Sequence, residues 1–192
     1  FTRYIFGFQP EKIKITLYGS FKETYKGHGT DIALIGGLLG YNTSDKRIRT
    51  SLEDAKEAGI DFEFIESEVE HIHPNTAKLE VEAGRHSLDL IGKSIGGGKM
   101  VIFELLGFDV NLSGDFPSYF VFYKLSEKNK IQLLSEVEHI FANNKISSNF
   151  SDSILEGMNL LVVEVLEKIN DKQIEAITNL EYVNDVKFAD KL

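Results

Sequence analysis

The chain contains no cysteine and no tryptophan, has only three prolines, and carries 21 Lys+Arg against 30 Asp+Glu. Each shortage removes a class of explanation. Without cysteine there is no disulfide and no thiolate to offer zinc, copper or an iron–sulfur cluster, so a cysteine-held cofactor would have to sit on another chain. A net charge of −9 argues against nucleic acid as a main partner, because phosphate binding needs clustered Lys and Arg. No apolar run approaches about 18 residues and no secretory signal pattern opens the chain. No membrane span is expected, and a cytoplasmic location is the default. No Gly-x-Gly-x-x-Gly fingerprint is present, so dehydrogenase chemistry is not expected here. The first residue is Phe1 rather than Met, which suggests that an N-terminal piece is missing.

What is present fits a globular chain of 192 residues with 42% hydrophobic content, enough for one large or two small domains. Ile13, Ile15 and Leu17 alternate with Lys12, Lys14 and Thr16, predicting a strand over 12–21. It breaks at Gly27-His28-Gly29, and a helix is predicted to start at Thr30 or Asp31, both good N-cap types. Thr50 and Glu53 have capping-box spacing for a second helix, closed by Gly59. Strands are predicted from Phe62, over 78–83 and 87–94, and from 100 to 106 continuing towards Leu112.

Beyond Gly114 the pattern becomes a compact β-α-β-β-α-β. It comprises a strand over 119–125, a helix with Ile131, Leu134, Val137 and Phe141 on one face, and an extended piece over 148–155. A strand over 160–166, a helix capped by Asn170 and Gln173, and a strand over 183–188 complete it. The fold class is α+β, with domains at 1–115 and 116–192.

Two polar turns interrupt these patterns. In Lys26-Gly27-His28-Gly29-Thr30-Asp31, the glycines allow close approach of a ligand to the backbone, and the following helix N-terminus favours a carboxylate. An imidazole there exchanges protons near neutral pH. In His73-Pro74-Asn75, Pro74 restricts both itself and His73, holding two polar groups in one orientation. The local residues alone leave both turns open to a plain structural reading. Ser94 to Gly98 reads equally well as an anion-binding nest or a glycine hairpin. His71 and His73, two apart, lack an evident third metal ligand; no metal site is expected. His71, His86 and His139 read as structural or surface residues.

Three segments in this order resemble the beta chain of an iron–sulfur L-serine dehydratase. The first comprises Leu17-Tyr18-Gly19-Ser20-Phe21 with 25–31 and 33–40; the second is His73-Pro74-Asn75-Thr76-Ala77; the third is Ser94-Ile95-Gly96-Gly97-Gly98. The resemblance covers nearly the whole chain. It implies an N-terminal mixed α/β domain similar to the allosteric substrate-binding domain of some D-3-phosphoglycerate dehydrogenases, then a ferredoxin-like ACT domain. It implies an L-serine ammonia-lyase of amino-acid catabolism and gluconeogenesis, forming pyruvate and ammonia. Its [4Fe-4S] cluster would be held by a partner alpha subunit and not ligated by this chain, and dimerisation is expected through the ACT or N-terminal domain.

The resemblance also implies site roles: His28, His73 and Asn75 as catalytic residues, with Lys26, Gly27, Gly29, Thr30 and Asp31 binding substrate. Which histidine takes the α-proton stays open. Two departures stand out. The family's Ser-Ser-Ser-His-Thr stretch is absent, and Ser126-Glu127-Lys128-Asn129-Lys130 replaces the Asp-x-Pro-Gly turn common in ACT domains, which puts ligand sensing there in question. Rival readings are a stand-alone amino-acid-binding regulatory module related to a phosphoglycerate dehydrogenase tail, and an assembly subunit that only makes oligomer contacts.

Overall fold

The computed structural model describes residues 1–69, 73–124, 126–152 and 157–191. They form an α+β chain with two sheets and six α-helices among the described residues. The chain divides into two compact units, Phe1–Leu106 and Gly107–Leu192.

The first unit runs α1 (Thr2–Phe6), β1 (Lys12–Tyr18), α2 (Ser20–Thr24) and α3 (Thr30–Leu38), then a 3₁₀ turn over Lys46–Thr50 and α4 (Ser51–Glu57). Four strands follow: β2 (Asp61–Glu66), β3 (Thr76–Ala83), β4 (His86–Gly96) and β5 (Lys99–Leu105). The strands lie side by side as β2-β1-β3-β4-β5. β1 runs parallel to β2 and antiparallel to β3. The period-2 pattern in β1 puts Ile13, Ile15 and Leu17 in the core with Leu79 and Val81 opposite. Lys14 projects to the other face, 3.3 Å from Glu80. Ser51, fully buried, donates its hydroxyl to the Ile32 carbonyl at 2.7 Å and so ties α4 to α3.

Three local expectations are corrected here. β1 ends at Tyr18, short of Phe21, because Gly19 takes φ 54 and turns the chain into α2. α3 starts at Thr30 as expected, but its N-cap is Gly29 in the left-handed region rather than Thr30 or Asp31. The Thr50–Glu53 capping box does not form. The 3₁₀ turn runs straight into α4, and the Thr50 hydroxyl turns instead to Arg47 O and Asp54 Oδ2.

The second unit contains β6 (Phe108–Leu112), β7 (Ser118–Lys124), α5 (Glu127–Phe141), β8 (Lys145–Asp152), β9 (Met158–Val165), α6 (Asp171–Thr178) and β10 (Val183–Ala189). Strand order is β10-β7-β9-β8, all neighbours antiparallel. Tyr119, Val121, Leu161 and Val163 share one buried layer with Leu133, Val137 and Phe141 of α5 and Ile177 of α6. The Asn170–Gln173 capping box is formed in full. The face of α5 differs from the sequence expectation: Leu133 is buried, while Ile131 is 68% and Leu134 38% exposed. Two apolar stripes one residue apart both contain Val137 and Phe141, and the sheet selects the Leu133 stripe.

Candidate functional site

The His73 turn is built against the end of β1. A Cβ on Gly19 would lie 2.4 Å from Pro74 Cα and 2.8 Å from its carbonyl oxygen. Only glycine permits this approach, and it does so at positive φ. The Phe21 amide then donates to Pro74 O at 3.1 Å. The Ser20 hydroxyl donates to Asn75 Oδ1 at 2.7 Å and lies 3.3 Å from Pro74 O. Within the turn, the Asn75 amide donates to His73 Nδ1 at 3.2 Å. On the far side, the Ser94 amide donates to Asn75 O at 2.9 Å. Tyr18, Thr76 and Lys93 are direct cross-strand neighbours, so three stretches distant in sequence meet at one end of the sheet. Thr76 is fully buried, and its hydroxyl has no hydrogen-bond partner among the described residues.

His28 lies on the segment that leaves this contact. Thr24 Oγ1 donates to Ser20 O at 2.8 Å, the Tyr25 amide to Phe21 O at 3.0 Å, and the His28 amide to Thr24 O at 3.0 Å. The two backbone bonds have helical spacing, but α2 itself ends at Thr24 and His28 lies in the turn that follows it. Tyr25 is buried and stacks on Phe64 with ring centroids 5.4 Å apart, anchoring the segment to the sheet. The Lys26 ammonium sits 5.4 Å from the Tyr25 ring centre. His28 is exposed, and its side chain makes no hydrogen bond to His73 or Asn75 among the described residues.

The α3 N-terminus is partly occupied by its own chain. The Thr30 amide donates to Tyr25 O at 2.8 Å, and the Ile32 amide to Asp31 Oδ1 at 2.9 Å. Gly29 needs its glycine for φ 68, whereas a Cβ on Gly27 would meet only Thr24 O at an ordinary 3.6 Å. The structure thus links His73 and Asn75 directly to each other. It places Lys26, Gly27, His28, Gly29, Thr30 and Asp31 one short helix away.

The remaining candidates resolve simply. Gly97 and Gly98, both at positive φ, form the two-residue turn between β4 and β5, so the hairpin reading of 94–98 holds. His86 stacks on Phe8 with centroids 4.1 Å apart, and His139 is exposed on α5. His71 lies outside the described residues. No group of three or more His, Asp or Glu is placed to hold a metal among the described residues. A pocket lined by Lys12, Lys14, Glu63, Glu80 and Glu82 lies at the start of β1, at the opposite end from Gly19.

A second polar cluster closes the α3–α4 connection. Burial, followed by the Asp54 carboxylate that accepts its proton at 2.9 Å, holds the Tyr41 hydroxyl above the usual phenol range. Hydrogen bonds from the Arg47 side chain, then its backbone, hold the Asp45 carboxyl below the usual carboxylate range.

Residues 6–60 match the family model described as serine dehydratase beta chain. The chain is 39% identical to the "Probable L-serine dehydratase, beta chain" of Bacillus subtilis (strain 168), over 98% of this chain and 86% of that protein. It is 32% identical to the "L-serine dehydratase, beta chain" of Peptoniphilus asaccharolyticus, over 93% of this chain and 81% of that protein. The chain belongs to the serine dehydratase beta-chain family. The beta-chain model spans the His28 turn and stops before the His73 turn. In this beta chain the roles of Gly19 and Ser20 are carried by a distant partner. A Gly-Ser pair directly after a strand was the available signal, but its partner lies 55 residues away.

Proposed function

We propose that this chain is the beta subunit of an L-serine ammonia-lyase, converting L-serine to pyruvate and ammonia together with an alpha subunit. Family membership supports the enzyme and the chain's place as a subunit. The observation that carries the site is the seating of Pro74 on Gly19, which brings Ser20 to Asn75, with His28 in the turn that follows α2.

The residues present do not fit as ligands of an iron–sulfur cluster. The chain has no cysteine, and the described residues hold no His, Asp or Glu cluster that could replace one. In our reading the [4Fe-4S] cluster belongs to the alpha subunit, and this chain supplies a polar wall. Removal of the α-proton and departure of the hydroxyl need a base, donors for developing charge, and a grip on the carboxylate. His28, His73 and Asn75 are assigned these duties. Lys26, Gly27, Gly29, Thr30 and Asp31 form the turn that receives substrate.

The first unit is read as the domain similar to the allosteric substrate-binding domain, and the second as the ferredoxin-like ACT domain, with dimerisation through one of them. No described helix is long and apolar enough to cross a membrane, and we place the enzyme in the cytoplasm.

Anaerobic reconstitution with the alpha subunit tests this. Neither chain alone should deaminate serine, and the pair should. His28→Ala should lower turnover by about 10²-fold, and His73→Ala should lower kcat/KM for serine by about 10-fold or more. An active pair indifferent to both substitutions overturns the site, and a pair inactive on serine overturns the function.

A further inference from the structure

The hydrogen bonds of the His73 turn assign a direction to each of its polar groups. Asn75 Oδ1 sits 2.7 Å from the Ser20 hydroxyl, the usual separation for O–H···O and shorter than the usual N–H···O. The side-chain oxygen of Asn75, Oδ1, is the atom set toward Ser20. Its Nδ2 makes no hydrogen bond among the described residues and keeps both protons to give. His73 accepts the Asn75 amide proton at Nδ1, so Nδ1 carries no proton. The neutral ring then bears its hydrogen on Nε2, and the side chain is exposed.

We infer that His73 and Asn75 form a fixed pair of hydrogen-bond donors, Nε2–H and Nδ2–H₂, that grips the substrate's carboxylate, and that Ser20 is the positioning residue that keeps Asn75 turned to donate. This rests on the functional reading above and divides its roles: His73 is not the base for the α-proton. With Nε2 protonated and the Nδ1 lone pair engaged by the Asn75 backbone N–H, the neutral ring has no free lone pair to take that proton. The base lies elsewhere, at His28 or on a segment outside this chain. Ser20 reaches substrate only through Asn75. Pro74, held by Gly19 and Phe21, fixes the backbone from which both donors project.

Nitrogen NMR of the isolated chain with ¹⁵N-labelled histidine reads the tautomer without any activity. The His73 signal, assigned by its loss in His73→Gln, should show a bare Nδ1 and a protonated Nε2 in the neutral ring. A protonated Nδ1, or a rapid mixture of both forms, overturns the inference.

In the reconstituted enzyme, His73→Gln keeps an N–H donor and cannot act as a base. It should keep kcat within about tenfold, because loss of a general base costs about 10²–10⁴-fold; a loss of that size overturns the donor role. Ser20→Ala should raise KM for serine about 3–10-fold with kcat within about twofold, and Ser20→Thr should restore KM. A fall in kcat at unchanged KM overturns the positioning role. If the pair does not deaminate serine at all, the functional reading fails, while the tautomer measurement still decides the state of His73.

Discussion

β1 and β7 sit inside the sheets of their respective units, yet they bury their side chains differently. β1 alternates, with Ile13, Ile15 and Leu17 inside and Lys14 paired to Glu80 on the other face. In β7 the six residues from Ser118 to Tyr123 are all buried, and β9 is buried from Asn159 to Val163. A strand covered on both faces has no side left for polar chemistry. A strand with one wet face can carry ion pairs along it, and its ends can open into polar turns. The candidate site accordingly grows from the end of β1, where Gly19 and Ser20 meet Pro74 and Asn75. The second unit spends its sequence on packing.

This contrast can be broken at four places. The largest effect belongs to the second unit's core. Leu161→Ala removes a fully buried side chain from the layer that faces α5 and α6 and should cost about 3 kcal/mol in urea unfolding; a loss below about 1 kcal/mol would mean that the layer is loosely packed. Gly19→Ala comes next, at about 2 kcal/mol. Its new Cβ meets backbone atoms of Pro74 that cannot rotate away. Serine turnover in the reconstituted enzyme should fall more than its stability does, which would separate a site effect from a core effect.

Asn170→Ala deletes a formed capping box at the start of α6 and should cost about 1 kcal/mol, read as a lowered urea midpoint at unchanged slope. The smallest effect is expected from Tyr182→Phe, under about 1 kcal/mol at neutral pH, since its buried hydroxyl has no hydrogen-bond partner among the described residues. Burial, then the charge of Glu136, raises its folded-state pKa above the ordinary phenol value. The associated stability is therefore complete below the unfolded value and is lost as pH rises through the folded one. Unfolding midpoints of Tyr182→Phe should fall less steeply above about pH 10 than those of the unmodified chain. An unchanged alkaline slope would remove Tyr182 as a source of that loss.

Much of this architecture was legible residue by residue. Alternation along 12–17 marked β1, and Asn170 with Gln173 marked a real helix start. Thr50 with Glu53 has capping-box spacing too, but a 3₁₀ turn occupies the place where a free helix end would be. On α5 the sequence favoured Ile131 and Leu134, whereas the core takes Leu133. Of the candidate site, His28, His73 and Asn75 stood out because glycine or proline flanks them. Gly19 and Ser20 did not, since neither has any visible purpose until Pro74 is placed beside it.

By itself the sequence determined the α+β character, the absence of any thiolate ligand, and the positions of the two polar turns, because period, composition and turn chemistry are properties of neighbouring residues. Only the tertiary structure decided that the His73 turn rests on the end of β1, that Asn75 gives its oxygen to Ser20, and which face of α5 is buried. Those outcomes depend on atoms brought together across tens of residues, and no local pattern records its distant partner.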